Sequence, residues 1–264
     1  MMRGRVLVIA GSDSGGGAGI QADIKTITML GGYAATAITA LTAQNTEGVF
    51  GVLPIPPEFI RQQIEIVLDD IGADAVKTGM LHDTAVIEAV AAALAAKAPA
   101  APLVVDPVMA AKGGARLIEP DAIDALKRLL ASRAEVLTPN LPEAEILCGH
   151  AIDTIDAMKR AVEPLLALGC RNVLLKGGHL PGDTVVDILA GAAGMRLWQS
   201  PRIATRHTHG TGCTLASAIA AGLAQGLAVE AAVERARDYV QRAIASAPGL
   251  GHGHGPLDHA HPLQ

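Results

Sequence analysis

The feature that most constrains this chain is a series of short apolar runs, rich in β-branched residues, with polar residues at or just beyond their ends and most leading into a helical pattern. Arg5 to Ala10, Asp74 to Gly79, Leu103 to Asp106, Glu135 to Thr138 and Asn172 to Lys176 all have this form. Repeated β-α units predict a parallel sheet covered by helices on both faces. In such a sheet the polar strand ends gather at the carboxyl edge, where ligands bind. Between the runs, Pro57 opens a predicted helix with Ile60, Ile64, Val67, Leu68 and Ile71 on one face, closed by Gly72. Val229 to Ala247 reads as a surface helix that leaves Glu230, Glu234, Arg235, Arg237 and Asp238 for water. Asp153 to Leu168 is helical in pattern, and Pro164 is expected to kink or interrupt it. Tyr33 to Ile55 reads as two strands joined by a turn at Asn45 and Gly48, a piece expected to project from the main sheet.

Composition agrees with a large, closely packed core. Half of the 264 residues are hydrophobic, 18% are charged and only 2% are aromatic, so Ala, Leu, Val and Ile must fill the interior. No break in composition divides the chain, and the expectation is one domain over residues 1–264, with a Gly/His-rich tail from 249. A net charge of -5 and the lack of any Lys/Arg cluster argue against a nucleic-acid partner. The apolar stretch near the N-terminus is too short for a signal sequence or a membrane span, and Cys148, Cys170 and Cys213 form no C-x-x-C pair. A cytoplasmic protein without a membrane partner is expected.

Four segments carry candidate chemistry. Gly11 to Gly19 (GSDSGGGAG) lies between the first strand and a helix pattern at Ile20 to Leu30; glycines there permit close backbone approach to a polar ligand, or simply a tight β-α turn. It fits neither G-x-G-x-x-G nor the P-loop. Thr208 to Thr214 (THGTGCT) precedes a second helix pattern, and its two glycines can turn consecutive amides toward one phosphoryl group. Cys213 would sit at that helix start, where a thiol pKa tends to fall, although a lone cysteine also serves as a small buried hydrophobe. Thr138 to Glu145 (TPNLPEAE) sets Asn140 and Glu143 on one side of a turn into a helix; such oxygens suit Mg²⁺, and equally suit the first turn of a helix. Lys176-Gly177-Gly178-His179 ends a strand with a cation suited to phosphate oxygens, and Asp106-Pro107 ends another with a carboxylate.

In order along the chain, GSDSGGGAGIQADIKT, LTAQNTEGV, DAVKTGML, VVDPVMAAKGG, LTPNLPEAE, LLKGGH and THGTGCT resemble the hydroxymethylpyrimidine/phosphomethylpyrimidine kinases of thiamine biosynthesis. The likeness runs from residue 6 to about 256. It implies a ribokinase-like α/β/α sandwich around a mostly parallel sheet, a homodimer, and use of ATP and Mg²⁺ to phosphorylate a small pyrimidine and then its monophosphate. By that resemblance Gln44 recognises the pyrimidine, with Asp23, Gly11, Ala18, Met80 and Val108 near the substrate. Cys213 matches the base, Gly210, Thr211 and Gly212 the anion hole, Asn140, Lys176 and Thr211 the ATP phosphate contacts, and Asp106 and Glu143 the metal ligands, acting through water. His207 and the Trp198-containing stretch 183–202 depart from the family pattern. A pyridoxal kinase and a catalytically silent pyrimidine-binding module are the competing readings. His252, His254, His259 and His261 are expected in a solvated tail rather than a metal site.

Overall fold

The computed structural model describes residues 4–110, 114 and 117–263. The chain runs through β1 (Arg5–Asp13), α1 (Gly19–Met29), β2 (Tyr33–Gln44), β3 (Val49–Pro54), α2 (Pro57–Asp70), β4 (Ala75–Thr78), α3 (Thr84–Lys97) and β5 (Leu103–Val105). It continues through α4 (Ala122–Ala125), β6 (Val136–Leu137), α5 (Leu141–Cys148), α6 (Ile155–Leu166), β7 (Asn172–Lys176), β8 (Thr184–Gly191), β9 (Gly194–Pro201), α7 (Thr211–Ala224) and α8 (Val229–Ala245). The described strands form one nine-stranded sheet in the order β3-β2-β1-β4-β5-β6-β7-β8-β9. From β2 to β7 every pairing is parallel, while β3, β8 and β9 join the two edges antiparallel.

Alternation along each strand sends side chains to two separate cores. Leu7, Ile9, Val105, Leu137 and Leu175 pack with α2 to α6 on one face. Val6, Val8, Val104, Val136 and Leu174 pack with α1, α7 and α8 on the other. Each fully buried Leu, Ile or Val contributes about 1.5–3 kcal/mol relative to exposure, and the helical layers supply that burial.

The five expected strands are present, and β1 runs on to Asp13. Three local expectations change. The Tyr33–Ile55 piece does not project: β2 pairs in parallel with β1 along its length, and β3 is the edge strand. Its turn is as expected, with the Asn45 side chain accepting from the Glu47 and Gly48 amides. Helix α6 continues through Pro164 and stops two residues later, since near a C-terminus a proline disturbs few remaining hydrogen bonds. Arg235 and Arg237 are half-buried rather than left to water, because Arg237 reaches the β8–β9 hairpin while Arg235 packs toward the end of α7. Arg237 bonds Asp187 at 2.9 Å and Ser200 at 3.0 Å, and Arg235 donates to Gln225 at 2.7 Å. That hairpin, which carries Trp198, was not foreseen as strand.

The C-terminal segment is also more ordered than a solvated tail. His254 N donates to Thr46 O, Asp258 N to Ala243 O, and His209 pairs with Pro256 in an isolated bridge. His259 is buried, its Nε2 3.0 Å from Thr214 Oγ1 on α7, while His252 and His254 are exposed. Packing against α7 and α8 therefore overturns the solvated-tail expectation for His259.

Candidate active site

Parallel pairing brings the carboxyl ends of β1, β2, β5, β6 and β7 to one edge, and the candidate residues collect there. Lys176, at the end of β7, places Nζ 3.0 Å from Oδ1 of Asp106, just past β5; Thr138 Oγ1 also approaches that oxygen at 3.3 Å. Oδ2 of Asp106 faces the start of α7: a β-carbon at Gly212 would stand 3.5 Å from it and 3.3 Å from Lys176 Nζ. Gly210 caps α7 in the left-handed conformation (φ +85°), tight against the Gly17 carbonyl, so glycine is required both for the backbone angle and for the close approach. The amides that follow, Gly212 and Cys213, open the helix, where no intrahelical acceptor is available to them.

Asn140 and Glu143 form a reciprocal capping box at the start of α5: Glu143 N donates to Asn140 Oδ1 at 2.9 Å, and Asn140 N to Glu143 Oε2 at 2.8 Å. The first-turn reading of these residues is thus realised. Glu143 is nonetheless buried beside Lys176 and Asp106; burial pushes its carboxyl up to about 7, against the pull of the Lys176 ammonium.

Cys213 differs from expectation. Burial pushes its thiol up to about 11, outweighing the helix start, the Lys77 ammonium and the Gly19 amide that donates to its sulfur. At neutral pH it is a thiol. Asp23, expected near the substrate, has no exposed surface; its carboxylate oxygens each lie 3.0 Å from Lys77 Nζ, and Ser217 Oγ donates to Oδ1 at 2.6 Å. It holds up the floor of the site instead of facing a ligand.

Gly11, Met80 and Val108 do come together, since a β-carbon at Gly11 would lie 3.2 Å from Met80 Sδ, and Val108 packs on the cluster of Ala40, Met80 and Leu117. Ala18 precedes α1 and donates its amide to Asp13 Oδ2 at 2.8 Å. Gln44 ends β2 with Nε2 3.3 Å from His209 Nε2, and His209 Nε2 lies 2.8 Å from Asp13 Oδ2. Asp13 and His209 stood inside two of the quoted motifs without a role; their link depends on residues nearly two hundred positions apart, which no local spacing reveals. The residues of VVDPVMAAKGG numbered 111–113 lie outside the described part of the chain.

The Thr208–Cys213 loop thus reaches Gln44 on one side and the Lys176–Asp106 pair on the other. The sequence profile of the phosphomethylpyrimidine kinase family matches residues 13–258. The chain belongs to that family. It is 48% identical to the hydroxymethylpyrimidine/phosphomethylpyrimidine kinase of Bacillus subtilis, across 97% of this chain and 94% of the relative. It is 53% identical to the thiamine biosynthesis bifunctional protein ThiED of Geobacter sulfurreducens, across 97% of this chain but only 52% of that longer protein. Among solved structures, an ADP complex of Bacillus subtilis pyridoxal kinase superposes with a TM-score of 0.91 at 38% identity, covering 98% of each chain. The fold of this phosphomethylpyrimidine kinase family member is ribokinase-like, and the protein is a kinase, hence a user of ATP.

Proposed function

We propose that the chain transfers the γ-phosphoryl group of ATP to the hydroxymethyl oxygen of 4-amino-5-hydroxymethyl-2-methylpyrimidine, then phosphorylates the monophosphate to the diphosphate, within thiamine biosynthesis. The observation that carries this reading is the position of the Thr208–Cys213 loop, with His209 against Gln44 and Gly212 against Lys176 and Asp106. A pyrimidine held at Gln44 would present its hydroxymethyl group toward the amides at the start of α7. The Gln44 carboxamide can donate and accept at once, which suits the nitrogen edge of an aminopyrimidine. Met80 and Val108 supply apolar contact for the ring, with Gly11 leaving room beside them.

Phosphoryl transfer through a loose transition state depends on alignment and charge neutralisation. The first-turn amides of α7 and the Lys176 ammonium neutralise the transferred group, with Thr211 and Asn140 beside the phosphates. Cys213 is a thiol at rest, so to act as the base it must first release its own proton to solvent; the Lys77 ammonium favours the resulting thiolate, which then takes the hydroxymethyl proton as the oxygen bonds to phosphorus. No cluster of three or more metal-ligating side chains exists among the described residues. Asp106 Oδ2 and the buried Glu143 carboxyl fit an Mg²⁺ ion that keeps most of its waters and takes its remaining ligands from phosphate. Bound there, Mg²⁺ would supply charge neutralisation of the phosphate oxygens.

The protein acts as a single kinase unit on a small molecule in the cytoplasm, without nucleic-acid or membrane partners; no helix among the described residues is long and apolar enough to cross a membrane. Its edge strand β3 exposes Phe50 and Leu53, and Phe59 on α2 is exposed near the start of that helix. Apolar exposure of this kind fits self-association, and a homodimer through this edge is part of the proposal. A coupled ATP-consumption assay with hydroxymethylpyrimidine, its monophosphate and pyridoxal tests the substrate. Turnover with both pyrimidines is expected. Turnover with pyridoxal alone would make the protein a pyridoxal kinase, the reading favoured by the pyridoxal kinase superposition, and turnover with none would leave a silent pyrimidine-binding module.

A further inference from the structure

Arg202, which follows β9, lays its guanidinium against the loop between β7 and β8. Nε donates to Gly182 O at 2.6 Å, Nη1 to Gly178 O at 2.9 Å and Nη2 to Leu180 O at 2.5 Å. The Arg202 amide donates to Asp183 O at 2.8 Å. One side chain thus takes three carbonyls from residues 178–182, using the rigid fork of donors that distinguishes arginine from lysine. The root of the loop is held separately: Gly177 N donates to Asp187 Oδ1 at 3.1 Å, and a β-carbon on Gly177 would overlap Val186 O. The Leu180 side chain joins the core. At Gly178 and Gly182 a β-carbon would meet nothing within 4 Å, so packing does not hold the chain at those two positions and the guanidinium does.

The position of this loop gives those contacts a use. Lys176, the residue before it, has Nζ 3.0 Å from Asp106 Oδ1 and 3.3 Å from where a β-carbon on Gly212 would stand. Gln44, on the acceptor side, ends β2, and the sheet order sets β5, β6, β7 and β8 successively farther from it. In phosphoryl transfer the attacking and leaving oxygens stand roughly in line across phosphorus. With the acceptor at Gln44 and the transferred group between Asp106 and the start of α7, the leaving ADP extends toward the ends of β6, β7 and β8. Strand β8 runs antiparallel to β7, so the loop that joins them stands at that same carboxyl edge, in the path of the ADP.

We infer that Arg202 is a positioning residue for the donor nucleotide: by holding the Gly178, Leu180 and Gly182 carbonyls it keeps the β7–β8 loop shaped as a rest for the ADP part of ATP before ATP binds. The inference rests on the proposed placing of the donor phosphates at Lys176 and Thr211. Arg202 acts through the loop and does not touch the reacting atoms. Without it the loop has to be ordered on binding, and that entropy weakens nucleotide affinity while leaving the acceptor's alone.

The test measures ADP binding by calorimetry, KM for ATP and for hydroxymethylpyrimidine, kcat, and backbone hydrogen exchange over residues 177–183, in the full chain and in R202A, R202K and K176A. Arg202→Ala is expected to weaken ADP binding and raise KM for ATP about tenfold, the upper net worth of one hydrogen bond. Its kcat should stay within about threefold and KM for the pyrimidine within about twofold. Exchange in the loop should be faster without nucleotide. Arg202→Lys should be impaired nearly as much, because a single ammonium cannot reach three carbonyls at once. Unchanged ADP affinity in Arg202→Ala, an equal rise in both KM values, a fall in kcat alone, or unchanged exchange in the loop overturns the inference. Should that variant fail to fold, full ADP affinity in Arg202→Lys does so instead. Unchanged ADP affinity in Lys176→Ala would show that the placing of the donor phosphates itself has failed, which distinguishes the two.

Discussion

Lys77 and Asp23 form an ion pair with no solvent exposure on either side chain, the ammonium 3.0 Å from both carboxylate oxygens. Burial alone would lower the Lys77 ammonium, but the Asp23 charge, with Asp106 nearby, raises it above the ordinary lysine value. A stable positive charge is thereby kept next to the start of α7, tied by Ser217 to the same helix.

Breaking this pair from one side strands a charge in the interior. Lys77→Met is expected to cost roughly 3–5 kcal/mol in urea unfolding, and Lys77→Met combined with Asp23→Leu markedly less, since no unpaired charge remains. A double variant as unstable as the sum of the two singles would remove the ion-pair argument.

Cys213 offers a second test. Cys213→Ala should lower kcat by roughly 10² to 10⁴ while ATP affinity changes little, the usual range for a general acid–base group. Site-resolved alkylation of the unliganded protein should be slow at neutral pH and climb toward about pH 11, following the raised thiol. Near-normal kcat in the variant, or rapid alkylation at pH 7, would contradict the roles assigned to the thiol and to its burial.

Acid stability should depend on His259. Burial and the Lys25 charge lower its imidazole from 6.5 to about 4 in the folded protein. Between those values the unfolded chain binds the extra proton, so the neutral-imidazole contribution is complete above about pH 6.5 and declines as pH falls toward 4. The loss amounts to on the order of 2–3 kcal/mol. Thermal unfolding followed from pH 7 to 4 should show this decline, and His259→Gln, which can still bond Thr214, should flatten it; an equally steep decline in the variant would assign the acid sensitivity elsewhere.

For the edge strand, Phe50→Ser with Leu53→Asn should shift sedimentation from dimer to monomer while leaving the fold intact, because both side chains are exposed: 73% for Phe50 and 62% for Leu53. A parent chain that is already monomeric at micromolar concentration would rule out this self-association face.

Local patterning was enough for the layers and for many of the elements. The β-branched runs at β1, β4, β5, β6 and β7 and the apolar stripe of α2 mark buried surfaces by their period alone, and Pro57 and Gly72 mark where α2 begins and ends. The motifs at Gly11, Asn140, Lys176 and Gly210 were legible for the same reason: glycines and capping residues answer to backbone geometry within a few residues. The β8–β9 hairpin was not, since its edge strand is largely exposed and gives little burial signal.

By itself, the amino-acid sequence determined the β-α repeat, the parallel sheet, and the carboxyl edge at which polar strand ends meet, because hydrophobic period and turn chemistry are local properties. Only the tertiary structure decided that Asp13 and His209 meet beside Gln44, that Asp23 faces Lys77 rather than a ligand, that Cys213 is held as a thiol, and that His259 is buried. Hydrogen-bond partners and desolvation depend on which distant segments the fold brings within about 3 Å, and residues far apart in sequence carry no mark of that proximity.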